Sequence, residues 1–219
     1  TSGLCDVISV CARDNGTVDT DGCQYSLALT SEYDTYATVI QSFESDIVGS
    51  GTRVMTVWKN EPRVNIKIIL EHTAPKDPVA IYARFSLNMT SGFPIASSGG
   101  LVFDPSRSII YGTILDNIPF DGWISYPYIK TVLVARDTPL VSFGSHNFGY
   151  NSKDFASNKG DVYFLLADNT TEGSSVVCTS RKLTYSFDIV YDEKADDFAS
   201  LPKLAEKCSS NLIPIVYVK

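Results

Sequence analysis

The chain has 219 residues, with 18 basic against 25 acidic side chains and a formal net charge of -7. Hydrophobic residues make up 44% and charged residues 20%, which suits a folded domain with its own core and excludes collagen, low-complexity disorder and a coiled coil. No basic stripe offsets the acidic total, which argues against nucleic-acid binding as well.

Read from the amino terminus, alternating apolar and polar residues mark half-buried strands. Strands are expected over residues 7–12, 24–30 and 53–58. Residues 33–47 place Tyr36, Ile40 and Phe43 at helical spacing, an alternative helix that Thr and Val weaken. The clearest strand covers 63–71, where Val64, Ile66, Ile68 and Leu70 face one way and Asn65, Lys67 and Glu71 the other. The segment Ala74-Pro75-Lys76-Asp77-Pro78 reads as a hairpin loop leading to a second strong strand, 79–87. There Val79, Ile81, Ala83, Phe85 and Leu87 are expected inward, and Tyr82, Arg84 and Ser86 outward. Weaker strands follow over 108–115, 124–135 and 162–167. The strand 182–192 has Leu183, Tyr185, Phe187, Ile189 and Tyr191 on one face.

Residues 196–209 put Phe198, Leu201, Leu204, Ala205 and Cys208 at helical spacing, with Pro202 tolerated in a first turn. Residues 213–218 read as a last strand that Pro214 confines to an edge. Asn15-Gly16, Asp21-Gly22, Ser91-Gly92, Asp104-Pro105, Asp121-Gly122 and Lys159-Gly160 punctuate the strands as turns. The reading is mainly β: a single antiparallel β-sandwich domain over residues 1–219, jelly-roll or Ig-like, with one short C-terminal helix. Strands do not alternate with helices, which argues against Rossmann and TIM architectures.

A membrane helix needs roughly 18 apolar residues in a row, and the apolar runs here are far shorter, such as Ile68-Ile69-Leu70 and Val132-Leu133-Val134-Ala135. Thr1 follows no Met and no hydrophobic stretch, which reads as a leader removed or trimmed. The alternation at Ile215-Val216-Tyr217-Val218-Lys219 reads as a strand beyond which a tail or anchor is expected. The five cysteines, Cys5, Cys11, Cys23, Cys178 and Cys208, form no C-x-x-C pair. Their clustering near both ends suits disulfides that pin the termini, in a connectivity the sequence leaves open. Asn15, Asn88 and Asn169 head N-x-S/T sequons. These features together predict a chain that is secreted or sits on the extracellular face of a membrane.

Chemistry-bearing patterns are sparse. His72 and His146 are the only histidines, and no G-x-S-x-G elbow accompanies them. The acidic stretch from Asp14 to Gly22 fails as an EF-hand loop, because Ala28 falls where a bidentate Glu is required. No spacing supports zinc. Asp192-Glu193 and Asp196-Asp197 are explained by solvation ahead of a helix. Ser97-Ser98-Gly99-Gly100 lacks the G-K-[ST] of a phosphate loop. No catalytic residue, metal or cofactor is therefore expected.

Aromatics carry the remaining signal. Phe120, Trp123, Tyr126 and Tyr128 surround one turn, and His146, Phe148 and Tyr150 lie in a second Gly/Ser/Asn-rich stretch. Rigid amphipathic rings in such loops resemble binding surfaces. The expectation is a binding protein, not an enzyme, recognising an extracellular protein through loops or a sheet face, as a pathogen or viral host-interaction factor does. The alternative is a lectin-like module or a β-sandwich glycan hydrolase or lyase. A structural adhesion or coat module assembling through an edge strand is a third reading. Oligomeric state is left open.

Overall fold

The computed structural model describes residues 4–12, 18–26, 29–72, 79–87, 92–108, 117–144, 160–168 and 181–209. In chain order the first strands are β1 (Cys5–Ala12), β2 (Val18–Gly22), β3 (Gln24–Tyr25), β4 (Leu29–Glu32), β5 (Tyr36–Ser45) and β6 (Gly49–Trp58). Next come β7 (Arg63–His72), β8 (Ala80–Ser86), β9 (Ile95–Ser98), β10 (Leu101–Phe103) and β11 (Ile118–Pro119). The last are β12 (Trp123–Tyr126), β13 (Thr131–Ala135), β14 (Leu140–Phe143), β15 (Asp161–Asp168) and β16 (Arg181–Tyr191), before helix α1 (Leu201–Ser209).

All the pairings are antiparallel and form a smaller sheet, β11-β14-β15-β8-β1-β2, and a larger one, β10-β9-β12-β13-β16-β7-β6-β5-β3, with β4 also on β5. The period-2 pattern explains how they stack. Ile66, Ile68 and Leu70 of β7 are fully buried against Val7, Ile81, Ala83 and Phe85 of the smaller sheet. Phe85, Phe164 and Phe187 meet across the interface with ring centroids 5.0–5.6 Å apart. Each such ring contributes about 1.5–3 kcal/mol by leaving water. The fold is a mostly antiparallel β-sandwich, as the alternation predicts.

Arg53 sits in this interface at 6% exposure. A buried guanidinium is tolerated only when its donors are satisfied. Arg53 donates to the Cys5 carbonyl and, at 2.6 Å, to Gln41 Oε1, stands 3.8 Å from Asp6, and lies 4.2 Å from the Tyr25 ring centroid.

Four local expectations need correction. Residues 33–47 are not helical: their pattern counts by twos, and ten of them form β5. Strands β7 and β8 are not a hairpin, because β7 pairs β6 and β16 while β8 pairs β1 and β15. Residues 73–78 between them lie outside the described residues. The stretch 124–135 is two strands, folded at Pro127–Ile129 with Lys130 left-handed at φ 53°. Tyr82 points away from the main core as expected, but it is fully buried in a second layer with Ile8 and Val10, donating to Asn117 Oδ1.

The expected strand 24–30 is split between β3 and β4, and the expected helix 196–209 is helical only from Leu201. The strand expected over 213–218 and residues 109–115 of the 108–115 strand lie outside the described residues. The helix lays Leu201, Ala205 and Cys208 on Trp123, Val132, Val134 and Val190, on the side of the larger sheet opposite the smaller one.

Candidate functional site

The outer face of the larger sheet is divided. Helix α1 covers β12, β13 and part of β16. Among the described residues no helix covers β7, β6, β5 and β4. Strand registers fix what lies there. Leu29 stands opposite Ile40, and Ile40 opposite Val54, giving an apolar row across three strands. Beside it runs a hydroxyl row, Ser31, Thr38 and Thr56, ending at Asn65. At the strand ends Tyr33, Tyr36 and Trp58 stack, with centroids 4.6 and 5.4 Å apart. Leu29 is 67% and Tyr33 49% exposed. A solvated antiparallel face ordinarily alternates to polar residues; this one adds branched aliphatic and aromatic side chains on either side of its hydroxyl row.

Two adjoining hollows are among those that open on this side. One, of about 480 Å³, is lined by Trp58, Asn65, Lys67, Thr184 and Ser186. The Trp58 indole N–H is buried beside it with no hydrogen-bond partner among the described residues. The other is a groove of about 940 Å³ between α1 and the β9–β10 edge, and the two share Arg136 and Asp137. Val102, Phe120, Phe198 and Pro202 give the groove apolar walls, and Asp121, Asp137 and Glu206 give it carboxylates.

Asp121 is held by the β9–β10 turn. Its carboxylate accepts from Ser97 Oγ at 2.6 Å and from the amides of Gly100 and Gly99 at 2.7 and 3.0 Å. The Ser97 hydroxyl first, then these amides, hold the carboxyl below its ordinary value. Gly99 and Gly100 have φ of +59° and +79°, which a side chain would strain.

Behind Arg136 lies Asp188, fully buried. It accepts from Arg63 Nε at 2.8 Å, Asn65 Nδ2 at 3.0 Å and Arg136 Nη2. Arg63 also reaches the Cys208 carbonyl at 3.4 Å, placing positive charge at the C-terminal end of α1, where the helix dipole favours it.

The residues singled out by composition fall in different environments. Phe120 lines the groove but is 7% exposed, and Trp123 and Tyr126 are core side chains at 1% and 0%. The Trp123 ring packs under α1 and the Tyr126 ring between the two sheets. Burial pushes the Tyr126 phenol up. Tyr128 is 69% exposed in the Pro127–Ile129 turn. Its ring lies against Gly92, where an added Cβ would be 2.1 Å away. His146, Phe148 and Tyr150 lie outside the described residues, as do the sequon residues Asn15, Asn88 and Asn169.

Among the cysteines, Cys5 and Cys208 are unbridged, buried thiols, packed between the sheets and under α1 respectively. Terminal bridges through these two are therefore absent. Burial raises both thiol pKa values. Cys23 is half-buried next to Val7, whose carbonyl accepts its amide at 3.2 Å. Cys178 and the Cys11 side chain lie outside the described residues, as does the His72 side chain.

Among the described residues no group of three or more His, Cys, Asp and Glu side chains suits a metal ion. No helix among them is long and apolar enough to cross a membrane. Sequence reasoning missed Leu29, Tyr33, Tyr36, Ile40 and Trp58. The signal was present in residues 36–45, where period 2 sends Tyr36 and Ile40 away from buried Phe43. No protein-family model matches the chain, and no curated protein matches it.

Proposed function

We propose that this protein is a non-catalytic binding protein that docks an extracellular protein partner on the part of the larger sheet's outer face that no described helix covers. The observation that carries the reading is an outer sheet face on which the Leu29–Ile40–Val54 row and the Tyr33–Tyr36–Trp58 stack flank a hydroxyl row, with Leu29 and Tyr33 exposed and the other four half-buried. Exposed apolar patches rimmed by polar groups mark interaction sites, and Tyr and Trp dominate binding energy at such surfaces. The net charge of -7 favours a basic partner through long-range steering. Secretion and a role at a host surface accord with this reading and remain part of the proposal.

A second reading, a glycan-binding module, is favoured by one feature. The hollow beside Trp58 joins an aromatic ring to Asn65, Lys67, Thr184 and Ser186, the mixture that sugar stacking and hydroxyl recognition use. An array of purified extracellular proteins and glycans separates the two. Saturable binding to a protein, without turnover, supports the first reading. Glycan-only binding that Trp58→Ala abolishes replaces it with the second, and conversion of a glycan would overturn both.

A further inference from the structure

We infer that the groove between α1 and the β9–β10 edge is a second binding site, one that takes an extended basic segment, a lysine or arginine side chain flanked by aliphatic residues. The inference stands on the groove alone and does not need the sheet-face reading. Three features point the same way.

The first is shape. At about 940 Å³, the groove falls within the range of sites that bury a ligand of several residues' bulk, and Val102, Phe120, Phe198 and Pro202 offer apolar contact along it.

The second is charge. Among the described residues lining the groove, Asp121, Asp137 and Glu206 stand against one cation, Arg136, and that guanidinium is drawn back onto the buried Asp188. Glu206 has no ion partner among the described residues. Asp121 and Asp137 are fixed in place by backbone donors, Gly99 and Gly100 for one and the Ser186 amide at 3.0 Å for the other. Carboxylates positioned this way accept further hydrogen bonds without first being ordered.

The third is a polar group with no present use. Thr138 lines the groove at 3% exposure, and its buried Oγ1 has no hydrogen-bond partner among the described residues. Such a group carries a desolvation cost unless a ligand supplies the missing bond. A lysine ammonium or the backbone of an extended segment supplies it, and the carboxylates select the cation.

The probe is a fluorescein-labelled, end-capped octapeptide of alternating lysine and leucine, titrated with the full chain and read by anisotropy. Comparators are the glutamate–leucine and lysine–serine peptides. The account predicts saturable binding of the lysine–leucine peptide and at least about tenfold weaker binding of both comparators. Glu206→Lys, at an exposed helix position, should weaken binding about tenfold. Asp46→Lys makes the same charge change in the β5–β6 turn at the far edge of the sheet, and should weaken it less than about threefold. Thr138→Val should weaken binding several-fold while leaving the melting temperature equal or higher. No binding of the lysine–leucine peptide overturns the inference. So does equal binding of the glutamate–leucine peptide, or an equal loss from Glu206→Lys and Asp46→Lys, which would mean general attraction to an acidic surface. None of these outcomes alters binding at the sheet face, which Ile40→Arg reads separately.

Discussion

Asp188 is where removal of a single side chain should do most damage for its size. Its carboxylate is fully buried and accepts from Arg63, Asn65 and Arg136. The Arg63 and Arg136 side chains are only 19% and 10% exposed. Asp188→Ala removes the buried carboxylate that two guanidinium groups share and leaves them close together with little water. Breaking a buried ion pair from one side costs about 3–5 kcal/mol, and in a chain of this size each kcal/mol lowers Tm by about 2–4 °C. The expected drop is therefore about 6–20 °C. Because Arg63 also reaches the Cys208 carbonyl, the end of α1 should loosen too, visible in the fluorescence of Trp123 beneath it. Urea unfolding followed by circular dichroism measures the loss. Replacing the set with Arg63→Met, Asp188→Leu and Arg136→Met should recover most of it, since apolar packing often matches a buried ion cluster. A loss below about 1 kcal/mol for Asp188→Ala would refute the reasoning, because it would mean that water reaches the carboxylate site at little cost.

Gly51→Ala should cost about 1–3 kcal/mol by overpacking, because its Cβ would lie 2.5 Å from the Ile69 carbonyl oxygen and 2.3 Å from the Phe43 ring. Gly22→Ala, with nothing within 4 Å of the new Cβ, should change stability by less than about 0.5 kcal/mol; equal losses at the two sites contradict the packing described. Reaction with a disulfide reagent requires the thiolate, and burial raises the Cys5 pKa. Peptide mapping after labelling should therefore find Cys5 modified only in unfolded protein, and rapid labelling of the native chain would count against its burial. The Asp121 carboxyl is depressed when folded, so its contribution is complete above the unfolded pKa of about 3.9 and is lost as pH falls through the lower folded value. Urea midpoints of wild type and Asp121→Asn should differ at neutral pH and converge in acid; a constant gap would refute the link to ionisation.

How much of this was legible depends on which physical constraint each segment obeys. In β7, β8 and β16 one face is buried against the opposite sheet, so alternation was strong and the inward set was read correctly except for Tyr191, which is 48% exposed. Pairing partners were not legible, because sequence adjacency favoured a β7–β8 hairpin while the chain crosses between sheets. In β5 the outward residues Tyr36 and Ile40 are apolar, so the alternation blurred and a helical reading competed. That same departure from polarity is the clue to the candidate site. The aromatic turn at 120–128 misled in the opposite direction. Its composition suited a binding loop, but Trp123 and Tyr126 are needed as core volume. The Arg63–Asp188–Arg136 cluster joins residues 52 and 125 positions apart in the chain, and only the strand registers bring them together.

The most direct test of the proposed interaction surface compares wild type with Ile40→Arg and Trp58→Ala against the tightest protein ligand from the extracellular array. Circular dichroism first verifies that each variant is folded. The account predicts that each change weakens binding at least about tenfold, chiefly through faster dissociation, while the lysine–leucine peptide still binds the groove. Undiminished affinity in both folded variants would contradict it and move the partner's contact off this face of the larger sheet.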